Sequence, residues 1–235
     1  MMENTQILAG LQKLSAAAIL DVLDGQGYRN VQMAGVHSLL HGQKMVGRAI
    51  TVRFLPTRPD MKDRIIGGVE SAEYQAIELC GPGDILVMDA MGWSEPSAAG
   101  DIKLFRLKQR AAAGIVTDAS VRDLETLATY NIGIFAAGET NKTMPSYMLP
   151  FDVNIPVQCG GVLVMPGDYI TADDGGVVVI PKDLAPDILV KAQEYESLER
   201  LVKEQLAGED VSPGKYYPFN SAAYDLLKKH REPDH

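Results

Sequence analysis

At 235 residues, 46% of them hydrophobic and 23% charged, the chain can bury one sizeable core, and at about 150 residues to a domain it holds one unit or at most two. A disulfide-stapled miniature and a disordered tail are both excluded. The 22 basic and 31 acidic residues give a net charge of −9, so no basic surface presents itself to a phosphate backbone, and nucleic acid is not an expected partner. Cys80 and Cys159 form no CxxC and read as small buried hydrophobes of a reducing compartment. No apolar run approaches the roughly 18 residues of a membrane span, and Met1-Met2-Glu3-Asn4 lacks a basic leader. The expectation is a soluble, unprocessed, cytoplasmic protein with no membrane partner.

In chain order, apolar residues at Ile7, Leu11, Leu14, Ala18, Leu20 and Leu23 keep near-helical spacing up to Asp24-Gly25, which predicts one or two helices over 5–24. Residues 45–54 alternate through Val46, Ile50, Val52 and Phe54 and are closed by Pro56 and Pro59, the punctuation of a strand. A helix is predicted over 69–79, stopping at Gly81-Pro82-Gly83. Strands and helices then alternate over 84–90, 101–113, 114–118, 122–130 and 132–136, the order of a partly parallel sheet with helices on it. Short apolar runs at 161–165, 169–172 and 177–180 are divided by Gly-Asp and Asp-Gly-Gly turns, which predicts a β-meander or barrel segment. Residues 184–206 form a long amphipathic pattern rich in Glu and Lys, and after a Gly/Pro loop a last helix is predicted over 221–229. We therefore expect one α/β domain over 1–183 and a helical extension over 184–235 that packs on another surface, such as a neighbouring subunit.

Most catalytic fingerprints are missing. His37 and His41 stand four apart ahead of Gly42, while His230 and His235 lie in the tail, so no HExxH helix with a third ligand offers a zinc site. There is no GxSxG, GxGxxG or GxxxxGK[ST], and neither cysteine has a neighbourhood that favours a thiolate.

The segment from Gly100 to Asp123, GDIKLFRLKQRAAAGIVTDASVRD, stands above this background. Asp101 opens a predicted helix whose first turn its side chain can cap, leaving the amides of Ile102, Lys103 and Leu104 pointing outward at the positive end of the helix dipole. That is a ready carboxylate site. A strand ending at Asp118 and a four-residue turn then deliver Arg122-Asp123 to the mouth of the next helix, and sites in α/β sheets lie outside the carboxyl ends of strands. An Asp so placed can hold a hard divalent ion, and an Arg beside it can stabilise an oxyanion. The plainer alternative is a helix cap with a solvated neighbour.

Twenty residues separate Asp101 from Arg122, and the resulting D-x20-R-D looks like the signature of the class II pyruvate aldolases that cleave 4-hydroxy-4-methyl-2-oxoglutarate and 4-carboxy-4-hydroxy-2-oxoadipate. That superfamily also contains the regulators of ribonuclease activity A. LDVLDG at 20–25, VGRAITV at 46–52, GDILV at 83–87, GGV at 160–162 with PGD at 166–168, and ADDGGVV at 172–178 resemble family blocks in family order. The resemblance thus spans about residues 15–182. It implies a swivelling β/β/α (RraA-like) fold assembled as trimers or dimers of trimers, with active sites at subunit boundaries. It further implies that Asp123 binds Mg²⁺ or Mn²⁺ largely through the ion's waters, that Arg122 contacts the keto oxygen of pyruvate, and that Asp101 positions a water. Gly100 and the amides of Ile102, Lys103 and Leu104 would receive the substrate carboxylate. The ribonuclease regulators typically lack the aspartate that follows the arginine and are shorter, so this chain departs from that branch.

Family aldolases also contribute a glutamate from a C-terminal helix of the adjoining subunit. On the 184–206 helix, Glu199 falls within the stripe of Ile188, Ala192, Tyr195, Val202 and Leu206, with Glu196 at its edge. Either could be that ligand; the alternative for Glu199 is an i,i+4 pair with Lys203. The implied activity is metal-dependent cleavage of a 4-hydroxy-2-oxo di- or tricarboxylic acid to pyruvate and a second oxo acid, with oxaloacetate decarboxylation on the side. Arg64, Lys103, Arg106 and Lys142 are unranked candidates for a second carboxylate. A non-catalytic oligomeric regulator that binds another protein is the rival reading. Methyl transfer finds no glycine-rich cofactor loop to support it.

Overall fold

The structure, a computed structural model, describes residues 2–61, 67–144 and 147–231; Arg64 and His235 lie outside them. The N-terminal pattern folds as two helices, α1 (Asn4–Leu11) and α2 (Ala16–Gly25). They part at Ser15, whose hydroxyl accepts the Ala18 amide at 3.1 Å and so caps α2. Strands β1 (His37–Ser38) and β2 (Met45–Pro56) follow, then α3 (Ala72–Leu79), β3 (Asp84–Asp89), β4 (Ser97–Ala99) and α4 (Asp101–Gln109). The middle of the chain supplies β5 (Gly114–Thr117), β6 (Ser120–Val121), α5 (Leu124–Leu127), β7 (Gly133–Ala136), β8 (Gly138–Glu139) and β9 (Met148–Val153). Last come β10 (Val157–Cys159), β11 (Val162–Val164), β12 (Tyr169–Asp173), β13 (Gly176–Ile180), α6 (Ala185–Gly208) and α7 (Ser221–Arg231).

The main sheet runs β1-β7-β5-β3-β2-β12-β13, with β9 also on β2. Its centre, β2-β3-β5-β7, is parallel, while β1, β9, β12 and β13 pair antiparallel. Alternation along the strands sorts the core into two faces. Leu86, Met88, Ile115 and Ile134 pack under α3 and α4 with Ile77, Leu104 and Leu107. Ile85, Val87, Val116 and Phe135 point the other way, against Val157, Val162 and Val164 of the separate β10-β11 hairpin and against β12 and β13. Helix, sheet and hairpin are thus three layers, and the α/β architecture with C-terminal helices is the expected one. The runs at 169–172 and 177–180 join the main sheet as a hairpin, and only the 161–165 run lies apart from it, in β11.

Three helices are shorter than their patterns predict. The one over 69–79 begins at Ala72, after a separate 3-10 turn at Gly68–Glu70. The one over 101–113 stops at Gln109, and Ala111 turns the chain with φ of 58°. The one over 122–130 shrinks to α5, because Asp123 itself sits in the left-handed region at φ 64°, ψ 33°, which an aspartate tolerates better than most residues. The first half of α6 packs into the main core: Ile188, Leu189 and Ala192 join Leu11, Ile19, Leu23 and Ile180. Its second half makes a separate cluster, in which Leu198, Leu201 and Val202 meet Tyr216, Ala223 and Leu227.

Both cysteines are free and buried. Burial pushes the Cys80 thiol up to about 12, and burial beside Asp118 and Asp89 raises that of Cys159 as well, so neither is set up as a thiolate. No single helix among the described residues is long and apolar enough to cross a membrane.

Candidate active site

A small parallel sheet, β4-β6-β8, builds the site. Ala99 pairs with Val121, and the Arg122 amide donates to the Ala99 carbonyl at 3.1 Å. The chain leaving β4 and the chain leaving β6 therefore emerge side by side, which brings Gly100 against Arg122 and Asp123 despite the sequence gap. Glycine is required by the approach itself: a Cβ on residue 100 would lie 2.7 Å from Arg122 Cγ and from Asp123 Oδ2, and 2.8 Å from Arg122 Nε. At φ −148° its backbone is ordinary extended chain; the constraint is space.

Asp123 Oδ2 accepts the Asp101 amide at 3.0 Å and lies 3.3 Å from Arg122 Nε. The carboxylate thus sits at the N-terminus of α4 with a guanidinium beside it, both half-exposed, at 37% and 45% of their side-chain surface. A carboxylate at a helix N-terminus is favoured by the unbonded amides and the dipole together. Two features of the helix mouth differ from the expectation. Gly100, not Asp101, occupies the capping position, and Asp101 turns its Oδ1 to the hydroxyl of Tyr130. The Leu104 amide is not free, since it donates to the Gly100 carbonyl at 3.1 Å and closes the first helical turn, and its side chain is fully buried. Ile102 and Lys103 keep amides that precede that bond.

Arg122, Gly100, Ile102 and Lys103 line a cavity of about 420 Å³ together with Tyr74 and Thr143. Asp101 and Asp123 stand outside its lining. Lys103 Nζ donates to Glu73 at 2.6 Å and to the Ala98 carbonyl at 3.2 Å, an ion pair in which both side chains are mostly buried. Of the other candidates for a second carboxylate, Arg106 is engaged in a bidentate pair with Glu78 and Lys142 with Glu95.

Neither C-terminal glutamate joins this constellation within the chain. Glu196 Oε1 accepts the Ser15 amide at 2.7 Å, and Asp173 accepts that of Ala16, so the two carboxylates close the start of α2. Burial lowers the pKa of nearby Lys44 against the opposing pull of Asp173 and Glu196. Glu199 lies 3.5 Å from Lys203, the i,i+4 alternative, and the buried stripe runs through Leu198, Leu201 and Val202 instead. α6 changes partners midway, so a stripe drawn through its whole length is rotated in the second half. Glu196 and Glu199 line a different cavity from Arg122.

Three features were missed. Tyr130 and the Glu73–Lys103 pair reach the site across 29 and 30 residues, with no spacing motif to mark them. The third is a network at the end of β3 and β5: buried Asp118 accepts from the Ala90 and Gly92 amides, and Gln158 Nε2 donates at 2.7 Å to both Asp118 and Asp89. Burial raises the Asp89 carboxyl above its ordinary range, against hydrogen bonds from Met91 and Gln158. These acids hold loops and are satisfied where they stand.

Among the described residues no group of three or more His, Cys, Asp or Glu side chains is arranged to hold a metal. Asp123 nonetheless fits a hard divalent cation of the kind that keeps most of its waters and takes one or two carboxylates. Both of its contacts are made through Oδ2, and among the described residues Oδ1 has no hydrogen-bond partner.

Three layers, with an Arg-Asp pair at a helix mouth beside a small parallel sheet, define the α/β class of this protein. Residues 16–179 match the RraA-like family, described as Aldolase/RraA, and the chain belongs to that family. It is 31% identical over 197 residues, 82% of this chain and 87% of the other, to a Halalkalibacterium halodurans protein named "Putative 4-hydroxy-4-methyl-2-oxoglutarate aldolase". Among solved structures, it resembles Streptomyces coelicolor RraAS2, described as an unusual member of the RNase ES inhibitor RraA family, with TM-score 0.77 and 30% identity over 86% of this chain and 98% of that one. An uncharacterised Pseudomonas syringae protein shares the fold, with TM-score 0.80 and 23% identity over 92% and 94% of the two chains.

Proposed function

We propose that this protein is a divalent-metal-dependent class II pyruvate aldolase that cleaves a 4-hydroxy-2-oxo acid to pyruvate and a second oxo compound. The observation that carries this reading is the Arg122–Asp123 pair packed on Gly100 at the mouth of α4. The amides of Ile102 and Lys103 and the positive end of α4 receive the substrate carboxylate. Arg122 presents a fixed positive charge to the 2-oxo group, where negative charge grows in the transition state. Asp101, through a water on its Oδ2, takes the proton of the C4 hydroxyl. As that O–H bond opens, C4 becomes a carbonyl, the C3–C4 bond breaks, and its electron pair passes into a pyruvate enolate whose oxygen lies against Arg122. Protonation at C3 releases pyruvate. Asp123 is the residue that would hold Mg²⁺ or Mn²⁺, which when bound supplies Lewis acidity to the developing enolate. No lysine is needed as a Schiff base. Because decarboxylated oxaloacetate leaves the same enolate, that reaction belongs to the same site.

The test is pyruvate release from a panel of 4-hydroxy-2-oxo acids, coupled to lactate dehydrogenase, with Mg²⁺ and with excess chelator. Metal-dependent turnover is expected, lost in Asp123→Ala and reduced by about 10²-fold or more in Arg122→Lys, whose ammonium cannot reproduce the guanidinium fork. Full activity in chelator overturns the reading. The likeness to RraAS2 favours a second reading, a non-catalytic regulator; on that reading, metal and pyruvate are expected to leave this protein's thermal stability unmoved.

A further inference from the structure

We infer that Tyr130 is a positioning residue for Asp101, an assignment that rests on the aldolase reading above. Its hydroxyl donates to Asp101 Oδ1, and its ring lies along the outer stripe of α4 that Asp101 begins. Phe105, four residues on, meets the ring edge-to-face at 5.8 Å between centroids, and Lys108, three further, places Nζ 4.9 Å from the ring centroid. An aromatic contact and a cation–π contact of this kind fix the ring's placement. From that placement the hydroxyl meets the Asp101 carboxylate.

The consequence for Asp101 is geometric. With Oδ1 occupied by a neutral donor, the carboxylate is held in one rotamer and Oδ2, which has no partner among the described residues, is the oxygen presented to a water. The charged groups facing the phenol are Asp101 and Lys108 on α4 and Asp123 on the turn before α5. The hydrogen bond to Asp101, with partial burial and the two carboxylate charges, holds the phenol's pKa above its ordinary value. The hydroxyl thus remains a donor throughout the neutral range. Tyr130 is not among the residues that line the cleft; its effect passes through Asp101.

A positioning role differs from a structural one in which reaction it slows. Aldol cleavage needs the C4 hydroxyl proton removed, whereas oxaloacetate, which has no such hydroxyl, loses CO₂ from the same enolate-stabilising site. Tyr130→Phe keeps the ring and removes the donor. With 4-hydroxy-4-methyl-2-oxoglutarate as probe, kcat is expected to fall about tenfold with KM within about twofold, and the loss in cleavage is expected to exceed that in decarboxylation. In an Asp101→Asn background, Tyr130→Phe is expected to add no further loss, because coupled residues are non-additive. Equal losses in the two reactions, multiplying losses in the double variant, or an unchanged kcat overturns the assignment while leaving the aldolase reading intact. A wild-type protein that releases no pyruvate from any 4-hydroxy-2-oxo acid sinks both, so the two failures are told apart by the wild type alone.

Discussion

Gly100 does its work by what it lacks. Its torsion angles suit any residue, yet a methyl group there would overlap the Arg122 stem and the Asp123 carboxylate at 2.7 Å. Neither neighbour can yield cheaply. The Arg122 atom in question is Cγ, close to its backbone, and Asp123 is tied to the Asp101 amide. Gly100→Ala should therefore push the guanidinium and carboxylate off the helix mouth. A displacement near 1 Å at a reacting centre costs about 10²-fold in rate, while overpacking at one buried position costs about 1–3 kcal/mol of stability. The expected result is a folded protein, by circular dichroism and thermal melting, with kcat/KM for pyruvate release lowered at least tenfold (about 1.4 kcal/mol). A Gly100→Ala enzyme with wild-type kinetics removes the close approach from the mechanism.

At the scale of elements, what the sequence discloses and what it hides divide along local and non-local physics. The parallel strands were readable because Ile85, Leu86, Val87 and Met88 are buried on both faces and so form an unbroken apolar run. The segment 100–123 was readable because strand, turn and helix mouth follow one another directly. The three-stranded sheet β4-β6-β8 was not, since two or three residues of Ser, Ala, Val, Gly or Glu carry no periodicity and pair only once the larger sheet has set them side by side. Tyr130 and Glu73 were hidden for the same reason: their partners are fixed by topology. α6 shows the limit of periodicity from the other side. A single amphipathic stripe does not fit its whole length, because the helix serves two cores: in the second half Leu198, Leu201 and Val202 take the buried side while Glu199 stands against Lys203. This separation is testable. Ile188→Ala should cost about 2–5 kcal/mol in urea unfolding of the whole chain. Leu227→Ala, in the outer cluster, should instead raise hydrogen exchange in α7 while amides of β2 and β3 keep their protection. Uniform loss of protection in Leu227→Ala would show that the two clusters unfold as one unit.

For the whole molecule, the proposed metal-dependent cleavage asks for more cation ligands than Asp123 alone. Arg122 and Asp123 are half-exposed, Ile102 at the cleft is 80% exposed, and no group of three or more His, Cys, Asp or Glu among the described residues is arranged to hold a metal. One carboxylate and a shell of waters bind a divalent ion weakly, so a second carboxylate from a neighbouring subunit would raise both metal affinity and exclusion of solvent. Of the two C-terminal glutamates, Glu196 is committed to the Ser15 amide. Glu199, half-exposed and held among the described residues by a long contact to Lys203, is the less committed of the two. An assembly of this kind makes activity depend on protein concentration, because dilution that separates subunits removes the second carboxylate. The trimer or dimer of trimers that the family resemblance implies should appear in light scattering as a multiple of the 25.5 kDa chain, and specific activity should fall on dilution below the assembly's dissociation range. Raising Mg²⁺ should partly restore it, since mass action opposes a weakened ligand set. Glu199→Gln should raise the Mg²⁺ concentration needed for half-maximal activity while the oligomer stays intact, whereas Glu196→Ala should lower stability through the lost acceptor at the Ser15 amide. A monomer that turns over at full rate at every dilution removes the neighbouring subunit from the chemistry and leaves Asp123 as the cation's protein ligand.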